Sequence, residues 1–227
     1  MRTSLTSMLV AIAIVGAGCG GQQAAAPSAG TSAPAAAAPQ AASRPAVNAP
    51  SLNDGDDFAI RLAPDTASGL QLPADLDLIV KHDGDSLVFA SKQTPQLDAG
   101  AMTLVLDAQM CATQFQDNNI TTRFQPCDQS AQFPLQVGKT WTARYGQSTA
   151  GGEFIQQTGS GTVMGIEQVT VPAGTFQAYR IDARHGPDIR TTSWYVPEVG
   201  FFVKVQSSSP QQLNFELVSY HRGGSSH

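Results

Sequence analysis

Residues 178–184 read Ala-Tyr-Arg-Ile-Asp-Ala-Arg. In an extended chain Tyr179, Ile181 and Ala183 point one way, and Arg180, Asp182 and Arg184 point the other. This is the pattern of a strand with one buried and one wet face. The same period of two returns in Thr140–Tyr145, with Trp141, Ala143 and Tyr145 inward, and in Leu213–Leu217. Leu76–Val80 and Met102–Leu106 are more apolar versions of it. No stretch carries a 3.6-residue period, so the chain predicts a mainly all-β fold.

Turn chemistry separates these runs. His82-Asp83-Gly84-Asp85 predicts a hairpin, because Asp-Gly suits the positive backbone angles of a tight turn. Val171-Pro172-Ala173-Gly174 and Val196-Pro197-Glu198-Val199-Gly200 predict two more, with proline opening each turn and glycine closing it. Gly159-Ser160-Gly161 predicts a further bend. Strands joined in sequence order imply an up-and-down meander: a curved antiparallel sheet, half-barrel or barrel.

The strands begin only after Ser51. Residues 20–50 are mostly Ala, Pro, Ser, Gly and Gln, and Arg44 is their only charge. Such a segment cannot bury enough surface to offset its ordering entropy, and Pro27, Pro34, Pro39, Pro45 and Pro50 keep it from being helical. It is expected to be a disordered tether. Residues 1–18 have the layout of a secretory signal: Arg2, an apolar run from Met8 to Val15, then Gly16-Ala17-Gly18. The run is too short to span a bilayer, so the mature chain is expected to have no transmembrane helix. The expected organisation is a signal at 1–18, a linker at 19–50 and a β domain at 51–227.

Charge is uneven within that domain. Residues 51–128 hold twelve acidic and four basic side chains, and residues 129–227 hold six and seven. The asymmetry admits a subdivision into 51–132 and 133–227. No basic stripe is present to neutralise phosphates, which excludes nucleic acid as an expected partner. Cys111 and Cys127 form an even pair in an exported chain, and their spacing predicts a structural disulfide.

Small residues followed by Cys19 resemble the signal of bacterial lipoproteins. Gly16 departs from that pattern, which favours Leu three residues before the cysteine. The resemblance implies that Cys19 is acylated and anchors the chain to a membrane, and Gly20 after it implies the outer membrane. Simple cleavage in the Ala-rich segment is the rival. A second resemblance rests on Phe133–Trp141, Val169–Phe176 and Trp194–Gly200. Residues 133–221 resemble an uncharacterised family of bacterial periplasmic β domains. It implies a curved antiparallel sheet and no particular chemistry.

Candidate chemistry is sparse. His185, with Asp188 three residues on, is the best acid–base pair, but His185-Gly186-Pro187-Asp188 reads first as a polar turn. His82, Asp83 and Asp85 are aimed apart by their turn. Asn53-Asp54-Gly55-Asp56-Asp57 lacks the spacing and the final glutamate of a calcium loop. No nucleophile elbow, phosphate loop or metal-ligand cluster occurs, so no catalytic, metal or cofactor site is assigned. Aromatic residues crowd the second half. They predict either a plain core or an apolar groove on the concave side of the sheet, carried by Trp141, Tyr179, Trp194 and Phe202. The expected function is a membrane-tethered binding module of the cell envelope, taking an apolar ligand or lipid. The alternative is an accessory or structural subunit of an envelope protein assembly, with a filled core.

Overall fold

The computed structural model describes residues 45–70, 72–92, 102–117 and 120–223. The signal, Cys19 and most of the linker lie outside the described residues. Period-two runs become twelve antiparallel strands. In chain order they are β1 (Asp57–Leu62), β2 (Asp75–Asp83), β3 (Ser86–Ser91), β4 (Met102–Leu106), β5 (Ala112–Asp117) and β6 (Ile120–Asp128). They continue as β7 (Thr140–Thr149), β8 (Ile155–Val171), β9 (Gly174–His185), β10 (Ile189–Val196), β11 (Phe201–Ser207) and β12 (Phe215–His221). Each strand pairs with its neighbours in sequence, and β12 pairs back onto β1, so the sheet closes into a barrel. Ala42–His227 is one compact unit that contains the whole sheet, its core and its closure.

Burial follows the pleat. Phe58, Ile60 and Leu62 of β1 are buried, as are Leu76, Leu78 and Val80 of β2. Arg61, Asp77, Lys81, Arg184 and Glu216 lie on the opposite, outer face. A lipid-spanning barrel shows the reverse, with apolar residues outward. Among the described residues no helix is long and apolar enough to cross a membrane. The helix that does form, α1 (Pro64–Leu70), was not expected from the sequence. Seven residues are too few to show a period, and it starts on the local cue of proline with Asp65 in its first turn. It buries Leu70 at the end of the barrel where β1 finishes.

The predicted hairpins form where the turns were read. Gly84 takes φ 60° between β2 and β3, and Gly200 takes φ 71° between β10 and β11. Gly159-Ser160-Gly161 makes no bend. It lies inside β8, a continuous strand of seventeen residues. Gly161 faces Trp141 across the ladder, and a Cβ at Gly161 would overlap the indole. These glycines make room for facing rings and do not turn the chain.

Closure is locked at the seam. Asp56, ahead of β1, is fully buried. Its carboxylate accepts hydrogen bonds from Arg222 Nε at 2.9 Å, Gly223 N at 2.7 Å and Asn53 N at 2.9 Å. Arg222 also donates to the carbonyls of Val199 and Ser51. The acidic run Asn53–Asp57 thus serves as a clasp, and Asp54 in it accepts from both the backbone N and Nδ1 of His82 at 2.7 Å. The same end of the barrel is filled by Leu52, Phe133 and Leu135, and Val47 exchanges two backbone bonds with Leu135. Arg222→Ala leaves a buried carboxylate with no cation. It is expected to cost about 3 kcal/mol, read as a lower urea midpoint of residues 42–227.

Candidate functional site: the barrel lumen

Inward side chains do not fill the barrel. A cavity of about 530 Å³ remains, lined from every strand except β8. One side of it is apolar, with Leu78, Phe89, Met102, Leu106 and Phe215. Phe201 anchors this side, stacked at 4.6 Å on Phe58, 5.1 Å on Phe89 and 5.9 Å on Phe215. Phe201 and Phe202 both line the cavity, and a register shift on the β10–β11 ladder leaves Val203 without a partner, which brings Phe202 onto the same face as Val205. Strand-end residues Asp117, Ile120, Thr149 and Ile189 line the cavity toward the end bearing α1, and Ile120 is half exposed there.

The other side of the cavity is polar. Asp128, Ser130, His185, Thr191 and Ser193 converge there. His185 and Asp128 are both buried, and His185 Nδ1 lies 3.0 Å from each Asp128 oxygen. A carboxylate only accepts, so the proton lies on Nδ1. His185 Nε2 meets the Thr191 hydroxyl at 3.2 Å. Tyr145 also hydrogen-bonds Asp128. Burial, and then the neighbouring Asp128 charge and this bond, push the Tyr145 phenol well above its ordinary range. Burial does the same to Tyr195. Asp117 at the rim is raised above the usual carboxylate range, again by burial.

Carboxylate, imidazole and hydroxyl stand in the order of a nucleophilic relay. Thr191, however, sits mid-strand with Ala183 and Ser207 as its partners on either side. Neighbouring N–H groups on such a strand point along the sheet, not into the lumen where an oxyanion would need them. The network is suited to holding and orienting a polar group.

The sequence paired His185 with Asp188. The structure instead gives it Asp128, fifty-seven residues away. The Cys111–Cys127 disulfide forms, with Cα atoms 5.7 Å apart, and fixes the residue next to Asp128. Asp107 lies near both sulfurs, but these are bonded to each other, and Asp107 Oδ1 accepts from Gln109 N and Cys111 N in a local turn.

Of the four aromatic residues read as a groove, Phe202 lines the cavity. Trp141 is buried on the inner face over Gly161, its Nε1 donating to the Gln129 carbonyl at 3.1 Å. Tyr179 is buried in the core beside Tyr195. Trp194 lies on the outer face. Its ladder partners are Arg180 and Lys204, and its Nε1 donates to Glu167 at 2.6 Å. Lys204 Nζ stands 5.8 Å from its ring. Charged stems cover this tryptophan, which is why it is buried without facing the lumen. A second depression of about 480 Å³ is lined by Trp141 and Gly161 together with the outward side chains of Thr142, Thr162, Arg184 and Arg190, so Trp141 borders this depression and not the lumen.

No family model matches the chain, and no curated protein matches it. It is similar to solved structures. The hypothetical lipoprotein YmcC from Escherichia coli K12 is 13% identical over 76% of this chain and 89% of that one, with a TM-score of 0.44. A Bacteroides fragilis protein, described as exported and of YmcC-like fold, is 12% identical over 78% of this chain and 100% of that one, at 0.37. A Parabacteroides distasonis protein, described as a lipoprotein, is 11% identical over 78% and 100%, at 0.34.

Burial of Tyr145 and Tyr195 makes the stability of the barrel depend on pH. Their folded-state values lie above the ordinary one, so the native chain holds protons that the unfolded chain releases. The associated stability is present below about pH 10 and is lost as pH rises beyond it. Denaturant midpoints at about pH 8 and about pH 11 are expected to differ less in Tyr145→Phe than in the parent chain. An unchanged difference would show that Tyr145 ionises freely in the native barrel.

Proposed function

We propose that this chain is an envelope lipoprotein, anchored through Cys19, whose barrel binds an apolar ligand or lipid in its lumen. The observation that carries the reading is the cavity of about 530 Å³ lined by Phe89, Met102, Phe201 and Phe215. A purely structural barrel gains stability by filling such a space, since each unfilled methylene costs contacts and leaves a void. This volume lies within the range of small-molecule sites, about 300 to 1,000 Å³. The signal layout and Cys19 support export and anchoring, and Gly20 supports the outer membrane. The linker between Cys19 and the barrel supplies reach from a membrane. The alternative, an assembly subunit with a filled core, leaves the cavity without a role.

Native mass spectrometry of residues 42–227, made in an oxidising compartment and purified without detergent, tests the reading. The parent chain is expected to retain a small apolar molecule. Leu104→Trp, which fills the lumen from β4, is expected to lose it while keeping the fold. A bare parent chain that also takes up no added lipid sinks the proposal.

A further inference from the structure

We infer that the lumen takes a single-chain amphiphile with an uncharged, hydroxyl-bearing head, of the monoacylglycerol class, in preference to a fatty-acid anion. This rests on the lumen-binding reading above and adds the chemistry of the head group. The cavity is divided. Phe89, Met102, Leu106 and Phe201 offer surface for a hydrocarbon tail, while Asp128, His185, Thr191 and Ser193 lie together on the other side. A ligand that satisfies both sides has one apolar and one polar end.

Charge selects which polar end. Two carboxylates, Asp117 and Asp128, face the lumen. Among the described residues lining it, none is Lys or Arg. Residues 93–101 and 118–119 contain no Lys or Arg either. His185 is the one basic group there, and its Nδ1 is engaged by both oxygens of Asp128. A fatty-acid carboxylate would therefore enter beside two carboxylates with no Lys or Arg to meet it. In a partly desolvated site this repulsion is stronger than in water. Burial already opposes charge at Asp117. A hydroxyl head meets the reverse situation. Its O–H groups can donate to the remaining lone pairs of the carboxylates and to the Thr191 oxygen, whose own proton is directed to His185 Nε2, and its oxygens can accept from the Ser193 hydroxyl. Carboxylate acceptors make these charge-assisted hydrogen bonds, which are stronger than neutral ones.

Displacement of the uncharged fluorophore N-phenyl-1-naphthylamine from residues 42–227 tests this, with 1-monooleoylglycerol and oleate as competitors below their aggregation concentrations. Monooleoylglycerol is expected to displace the probe at a concentration at least about tenfold lower than oleate. Asp117→Asn should narrow that gap, strengthening oleate and making monooleoylglycerol no tighter. Trp194→Phe, on the outer face, should leave both competitors unchanged. Oleate matching or surpassing monooleoylglycerol overturns the head-group inference and leaves lumen binding standing. A probe that does not bind, or that neither lipid displaces, overturns lumen binding and the inference with it.

Discussion

The clasp between Asp56 and Arg222 is the contact on which the rest of the molecule depends. Every other strand pairing joins neighbours in sequence, through local hairpins and loops. The β1–β12 seam joins the two ends of the folded unit, and its ion pair spans 166 residues. Such a contact carries the largest loop-closure entropy in the fold. A fully buried carboxylate with one guanidinium and two backbone N–H donors offsets part of that cost. Without closure β1 and β12 are exposed edges, open to pairing with another chain. Without closure there is also no lumen.

Within the closed sheet, small local irregularities decide what the lumen looks like. The shift at Trp194 and Tyr195, opposite Val203, brings Phe202 onto the lumen face with Val205. The Cys111–Cys127 bond ties the start of β5 to the end of β6 and so sets the position of Asp128. His185 ends β9, level with Gly159 and two pairs along from Gly161, where the absence of side chains leaves room for Tyr145 and Trp141. The polar network is therefore assembled from β6, β7, β9 and β10. It is fully partnered: no buried side-chain polar atom among the described residues lacks a hydrogen bond. A satisfied network of this kind orders the core around it.

What could be read from the chain alone was local. Alternation in 178–184, 140–145 and 76–80 identified strands and their buried faces, because a period of two is a property of neighbours along the backbone. Asp-Gly and Pro-x-Gly marked turns for the same reason, and Cys111 with Cys127 was legible from compartment and count. Trp194 has Thr192 and Val196 two residues away on either side, so alternation alone does not say which face it takes. Trp194 and Tyr195 look alike in sequence, and only the ladder shows which faces Arg180 and Lys204. Gly159 and Gly161 were read as a bend because nothing local reveals that a ring lies opposite.

Sequence by itself determined that the chain is β, where several of its strands and turns lie, and which cysteines pair. Tertiary structure alone decided that the sheet closes, that a cavity survives inside it, and that Asp128 rather than Asp188 meets His185. The physical reason is separation along the chain. Pleat and turn preferences act over a few residues, whereas closure, cavity shape and the His185–Asp128 pair depend on register summed around twelve strands. A shift of one residue in any of them would send a different set of side chains inward.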